Sequence, residues 1–153
     1  MQEPDALLLQ EVTAEMYAVV RRRLVTWSVY HRRQVSESYF VVTAVKVLPA
    51  GPQDKCSSYA FPTSKNGRHL LTVRRGRWSI INVHTESGGR HVERDLRAAQ
   101  LRHLSRQYES DIAQTYIVAG DLNLREGDDQ CLLSEGWRDA WTLKPMKVGQ
   151  RRQ

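Results

Sequence analysis

Nine residues, Thr115-Tyr116-Ile117-Val118-Ala119-Gly120-Asp121-Leu122-Asn123, organise the chain. Residues 116–119 form a short apolar run with β-branched Ile117 and Val118, the pattern of a buried strand. Gly120 is expected to end the run and let the backbone turn. Asp121 and Asn123 then leave the strand end together. A carboxylate and a carboxamide in that position suit acid–base or metal chemistry. Gly, Asp and Asn are also common turn formers, so the segment taken alone reads first as a plain turn.

Two other apolar stretches end in the same way. Leu7-Leu8-Leu9 runs into Gln10-Glu11, and Ile81-Asn82-Val83 runs into His84-Thr85-Glu86-Ser87. If the three strands lie near one another, Glu11, His84, Asp121 and Asn123 meet at one rim. Oxygen ligands beside an imidazole suit a hard cation, typically Mg²⁺, which polarises a phosphoryl oxygen and activates water. Singly, each residue has a plainer reading. Glu11 is then an exposed acid near a helix start, His84 a capping or hydrogen-bonding histidine, and Glu86 a solvated side chain. The argument rests on their joint occurrence.

The remaining chain supplies the frame. Thr13 is placed to cap a helix that presents Met16, Val19 and Val20 at helical spacing and ends in Arg21-Arg22-Arg23, where positive charge suits the dipole. Residues 24–30 alternate as a strand, with Val25, Trp27 and Val29 on one side. Residues 39–47 and 57–61 read as strands, the first broken by Pro49-Ala50-Gly51-Pro52 and the second by Pro62. Residues 69–73 and 78–83 form a hairpin around Gly76. A helix is predicted over 92–108, with Arg97, Leu101, Leu104 and Tyr108 on one face. A turn and short helix are expected in 134–141. Six or seven strands with at least two helices predict an α/β fold of stacked sheets covered by helices.

The 153 residues suffice for one core and not for two comfortable domains. A hydrophobic content of 41% excludes a largely disordered chain. No apolar run is long enough to cross a bilayer. The acidic start Met1-Gln2-Glu3-Pro4-Asp5 lacks a signal-sequence pattern. Cys56 and Cys131 sit in no metal-ligand spacing, so a soluble intracellular protein is expected, with no membrane partner. The net charge of +6 comes largely from clustered arginines, including Arg32-Arg33, Arg74-Arg75 and Arg151-Arg152. These suit either a polyanionic partner or a solvated basic surface.

The ordered motifs resemble the endonuclease/exonuclease/phosphatase family: Leu9-Gln10-Glu11, then His84-Thr85-Glu86-Ser87, then Gly120-Asp121-Leu122-Asn123. Tyr39-Phe40, Phe61-Pro62-Thr63-Ser64-Lys65, Arg68-His69-Leu70-Leu71, Arg97-Ala98-Ala99-Gln100-Leu101 and the Leu124-Arg125 extension resemble its 5′-tyrosyl-DNA phosphodiesterase branch. The likeness covers most of residues 6–141. It implies a four-layer α-β-β-α sandwich, DNase I-like, occupying residues 1–143, followed by a basic tail over 144–153 that is expected to fray. It also implies Mg²⁺-dependent (or Mn²⁺-dependent) hydrolysis of the bond between tyrosine and a DNA 5′ end, in repair of topoisomerase–DNA adducts. DNA with a 5′-tyrosyl or protein adduct is the implied partner, the protein acting as a monomer in the nucleus, with a cytoplasmic pool allowed. By motif match, Glu11 ligates the metal and Asp121 orients the attacking water or serves the leaving group. Asn123 holds phosphate or the nucleophile, and His84 stabilises phosphate charge. Arg68 supports substrate binding, and Arg97 and Gln100 brace the site.

Two departures stand out. The family opens with a strand bearing an Asn at the metal site, and nothing before Ala6 supplies one. It closes with a strand carrying an Asp-His pair, and no His follows His103. Thr85 also stands where Leu is common, and the loop between Ser87 and Arg97 is slightly long. The expectation is a fold incomplete at its N- and C-terminal strands, with little or no activity by itself, because such groups give the largest catalytic term. The competing expectations are another nuclease, deadenylase or phosphatase of the same superfamily, or a non-catalytic nucleic-acid-binding remnant.

Overall fold

The apolar runs form strands and the periodic stretches form helices, in the computed structural model that describes residues 3–32, 38–48, 53–108 and 113–143. The order is β1 (Ala6–Val12), α1 (Ala14–Arg23), β2 (Trp27–His31), β3 (Phe40–Lys46), β4 (Lys55–Ala60), β5 (His69–Arg75), β6 (Trp78–His84), α2 (His91–Tyr108), β7 (Thr115–Asp121) and α3 (Gln130–Leu133). One sheet has the order β1-β3-β2, all antiparallel. The other has the order β4-β5-β6-β7, antiparallel except for the parallel pair β6 and β7. A parallel pair needs a long crossover, and α2 provides it.

Four layers result, and hydrophobic burial sets their order. On the first sheet, Tyr17 and Val20 of α1 pack against Val12, Phe40 and Val42. On the second, Leu101 and Leu104 of α2 pack against Phe61, Leu70, Ile81 and Val83. The two sheets face each other between the helices. Strand β3 is therefore covered on both faces, and its residues from Phe40 to Val45 are all buried. Buried Asn82 pegs the sheets together. Its Nδ2 donates to the Val42 carbonyl (2.9 Å) and to Thr43 Oγ1 (3.2 Å), while its Oδ1 accepts from Gln10 Nε2 (2.7 Å). At the far end from His84, Arg75 Nε and Nη2 donate to Asp54 (2.6 and 2.7 Å), Arg75 Nη1 to the Lys46 carbonyl (2.8 Å), and the Tyr30 hydroxyl to Asp54 (2.9 Å).

Several boundaries differ from those read in the sequence. Leu24 closes α1, its N–H reaching the Val20 carbonyl, so β2 begins only at Trp27 and Val25 is 80% exposed. Helix α1 docks through Tyr17 and Val20, and Met16 and Val19 stay exposed. Thr13 does cap it, accepting from the Met16 N–H at 3.3 Å. The last helix lies at Gln130–Leu133, before the segment expected to be helical. Gly120 lies inside β7, paired with Val83, and does not end the strand. Among the described residues no helix is long and apolar enough to cross a membrane. The Pro49–Pro52 breaker, Arg33, Arg151-Arg152 and the 144–153 tail lie outside the described residues.

Candidate active site

Strand register builds the site. The parallel pairing of β6 with β7 sets His84 beside Asp121 and Val83 beside Gly120. Such close approach needs glycine. At φ +134°, a Cβ on residue 120 would collide with the Val83 carbonyl oxygen and stand 2.9 Å from its nitrogen. Beyond the strand end, Asp121 Oδ1 accepts from the Asn123 N–H (3.0 Å) and Asn123 Nδ2 donates to the Thr85 carbonyl (3.2 Å). That local turn holds Asn123 at φ +48°, a conformation Asn tolerates better than most residues.

Glu11 arrives from the other sheet. Strand β1 changes register between Leu9 and Val12, and within this irregularity Glu11 has φ +52°. Bulges commonly re-aim a side chain beside a functional site. Here the Glu11 carboxylate lies 3.9 Å from His84 Nε2, and the Asp121 carboxylate lies 3.8 Å from the same nitrogen. Both distances exceed a hydrogen bond. Both carboxylates are solvent-exposed, while His84 is buried.

The opposite face of the imidazole fixes its proton. Arg68 Nη1 stands 2.7 Å from His84 Nδ1, and Arg68 Nη2 donates to Ser87 Oγ at 3.2 Å. A guanidinium only donates, so Nδ1 must accept and the neutral ring carries its proton on Nε2, toward the carboxylates. Burial and the adjacent Arg68 charge hold the His84 pKa below the ordinary histidine value, against the opposing pull of Asp121 and Glu11. The Arg68 guanidinium also lies 5.8 Å from the centroid of the Tyr39 ring.

Arg97 and Gln100 sit behind the rim, both buried in α2. Arg97 Nη1 donates to the carbonyls of Glu86 and Gly88 (both 3.0 Å), and its Nε donates to Asp128 at 2.9 Å. Asp128 also accepts from the Arg125 N–H (3.1 Å), so one buried guanidinium ties the loop after β6 to the loop after β7. Gln100 braces Glu86, accepting from its N–H (2.8 Å) and donating from Nε2 to its carboxylate (3.3 Å). Glu86 is thus fully buried, contrary to its reading as a solvated side chain. The loop 62–68 folds over it, a long-range contact that no local pattern announces. Asn66 stands in none of the motifs, and Tyr39, Ser64 and Ser87 stand in them without an assigned role, for the same reason.

The donor set accommodates a hard divalent cation. Among the described residues no three His, Cys, Asp or Glu side chains form a ready cage. Mg²⁺ needs none, since it keeps several waters and takes one or two carboxylates. Glu11 and Asp121 offer two exposed carboxylates beside a neutral imidazole, with the Arg68 guanidinium on the ring's other side.

No protein-family model matches the chain. It is 27% identical over 128 residues to Tyrosyl-DNA phosphodiesterase 2 of Bos taurus, covering 80% of this chain and 34% of that protein. A truncated Caenorhabditis elegans TDP2 structure superposes with a TM-score of 0.70 at 25% identity, over 82% of this chain and 52% of that one. The chain is similar to tyrosyl-DNA phosphodiesterase 2 and has the fold of the endonuclease/exonuclease/phosphatase superfamily. A humanized D. rerio TDP2 gives a TM-score of 0.71 at 23% identity, covering 84% of this chain and 53% of that one. A D. rerio TDP2 complexed with single strand DNA product gives 0.66 at 21%, with 83% and 51% covered. ANGEL2, a 2′,3′-cyclic phosphatase, shares the fold at a TM-score of 0.60 and 17% identity, with 80% and 40% covered. The chain spans about half the length of the TDP2 structures named here and about a third of the bovine protein.

Proposed function

We propose that this site performs metal-assisted hydrolysis of a phosphodiester at a DNA 5′ end, of the 5′-tyrosyl type. One observation carries the reading: Glu11 and Asp121, from different sheets, converge on the protonated nitrogen of a neutral His84. The chain that achieves this is similar to tyrosyl-DNA phosphodiesterase 2. A nucleic-acid substrate fits the net charge of +6 and the single-strand DNA product held by the D. rerio relative.

Glu11, with Asp121, would hold Mg²⁺ or Mn²⁺. The bound cation supplies charge neutralisation at phosphate and a lowered pKa for water. The protein's own groups do the rest. Asp121 accepts a hydrogen bond from the attacking water and aims its oxygen at phosphorus. His84 donates Nε2–H to a non-bridging phosphate oxygen, whose charge grows in the transition state. Asn123, fixed through Thr85, holds the phosphate or the nucleophile. Arg68 keeps the His84 ring in the donating tautomer, and Arg97 and Gln100 hold the loops that carry these groups. Water adds to phosphorus, the bond from phosphorus to the tyrosyl oxygen breaks, and a 5′-phosphate and a free phenol result. A nuclear, monomeric setting in repair of topoisomerase adducts accompanies this proposal.

The purified chain, given a 5′-tyrosyl oligonucleotide and Mg²⁺, is expected to release 5′-phosphorylated product slowly. Chelation of the metal and Asp121→Asn each abolish the release. Faster cleavage of plain DNA, poly(A) or an inositol phosphate would move the substrate to another branch of the superfamily, a choice that the ANGEL2 likeness keeps open. Salt-dependent DNA binding with no product would mark a binding module.

A further inference from the structure

The most deeply buried acid among the described residues lies outside that catalytic set. Glu86 has no exposed surface, and among the described residues no Arg or Lys side chain is bonded to its carboxylate, Arg97 reaching only its backbone carbonyl. Its carboxylate is surrounded by neutral donors from two other segments. Ser64 Oγ lies 2.8 Å from Oε2, Gln100 Nε2 lies 3.3 Å from the same oxygen, and Asn66 Nδ2 donates to Oε1. The direction of the Ser64 bond is fixed by its other partners. Ser64 Oγ accepts the N–H of Arg68 (2.8 Å) and that of Asn66 (3.3 Å), so its own proton goes to Glu86. Gln100 is fixed likewise, because its Oε1 takes the Glu86 N–H.

The chain of contacts ends at the site. Ser64 holds the backbone of Arg68, and the Arg68 guanidinium holds His84 Nδ1 and Ser87 Oγ. We propose that Glu86 is a positioning residue: its carboxylate latches the Ser64–Arg68 loop onto α2 so that Arg68 keeps His84 as the Nε2–H tautomer facing Glu11 and Asp121. The proposal deepens the phosphodiesterase reading through His84, but its central claim concerns the metal-free protein and does not need turnover.

The test is the imidazole ¹⁵N spectrum of His84 in the folded chain without metal, above the range in which histidines protonate. His84 is assigned by comparison with His84→Gln. The parent is expected to show a single Nε2–H form. Arg68→Ala is expected to give a mixture of both tautomers. Ser64→Ala, a change on the surface loop, is expected to give the same mixture with amide dispersion unchanged, and no further change when added to Arg68→Ala. Glu86→Ala is expected to act in the same way. Glu86→Gln is expected to restore the single form, because Asn66 can turn its amide and accept where it now donates. A parent-like tautomer in Ser64→Ala overturns the latch, whatever happens to Glu86→Ala. A mixture in Glu86→Gln as complete as in Ser64→Ala also overturns it. If Ser64→Ala shifts the tautomer while the parent neither binds nor cleaves a 5′-tyrosyl oligonucleotide, the latch stands and the phosphodiesterase reading falls.

Discussion

Gly120 and Asn82 show how little room single residues have here. They are neighbours across the β6–β7 ladder: a Cβ at 120 would lie 3.1 Å from Asn82 Oδ1 as well as against the Val83 backbone. Backbone cannot yield as a flexible side chain can, and φ +134° is itself unfavourable for alanine. Gly120→Ala is therefore expected to destabilise the fold by about 3 kcal/mol or more, the upper end for overpacking. Urea unfolding measures this, and a loss under about 1 kcal/mol would show that β7 can move away from β6. Asn82→Ala acts by the opposite mechanism. It leaves the Gln10 amide and the Val42 carbonyl without their buried partner. An expected loss of about 2–4 kcal/mol follows from unsatisfied polar groups plus a cavity.

At the scale of elements, the end of the sandwich away from His84 is closed by charge. Arg75 of β5 reaches Asp54, ahead of β4, and the Lys46 carbonyl of β3, while Tyr30 of β2 shares Asp54. The Arg75 hydrogen bonds hold the Asp54 pKa below its ordinary value, with burial opposing them. A carboxyl with a depressed folded pKa stabilises the protein above its unfolded pKa. That contribution disappears as pH falls through the folded value. The difference in unfolding free energy between parent and Asp54→Asn is thus expected to be largest near neutral pH, at about 1–3 kcal/mol for a charge-assisted pair. It should shrink steadily as acid brings the pH below the usual carboxylate range. A difference that is constant with pH would mean that Asp54 contributes shape and not charge.

Elements also show what was legible in advance. The apolar runs of β1, β3, β6 and β7 and the 3.6-residue face of α2 are local patterns, and each became the element expected. The polar clusters at the ends of β1, β6 and β7 met as anticipated, because strands of similar length were stacked with their ends in line. What failed depended on distant partners. Residues 24–26 alternate as a strand does, but Leu24 closes α1 and residues 25–26 turn into β2, with only the Thr26 carbonyl reaching across the sheet, to the Val47 N–H. Met16 and Tyr17 both suit a helix, and only the position of the sheet decides that Tyr17 turns inward. Glu86 looked solvated because its three donors come from residues 64, 66 and 100. Gly120 looked like a strand terminator because its actual demand, contact with Val83, is invisible without β6.

Across the whole molecule, the two sheets are joined unequally. Asp54 and Arg75 clamp one end, Asn82 pegs the middle, and the His84 end presents two like charges, Glu11 from one sheet and Asp121 from the other. A neutral His84 offers them a hydrogen-bond donor and no compensating charge. Repulsion across the open rim is therefore expected to oppose folding in the absence of a cation, and a divalent ion held there as proposed would reverse that sign. Glu11→Gln is accordingly expected to have crossed effects. Without metal it should stabilise the chain by about 0.5–1 kcal/mol, the scale for one exposed like-charge pair. With Mg²⁺ at roughly a hundredfold its dissociation constant, the parent should gain about 2.7 kcal/mol and the variant almost nothing. Urea titrations with Mg²⁺ and with a chelator read all four corners of this comparison. Equal Mg²⁺ stabilisation of parent and variant would place the cation elsewhere. A variant less stable than the parent in chelator would show that the bulge at Glu11 depends on its side chain for more than charge.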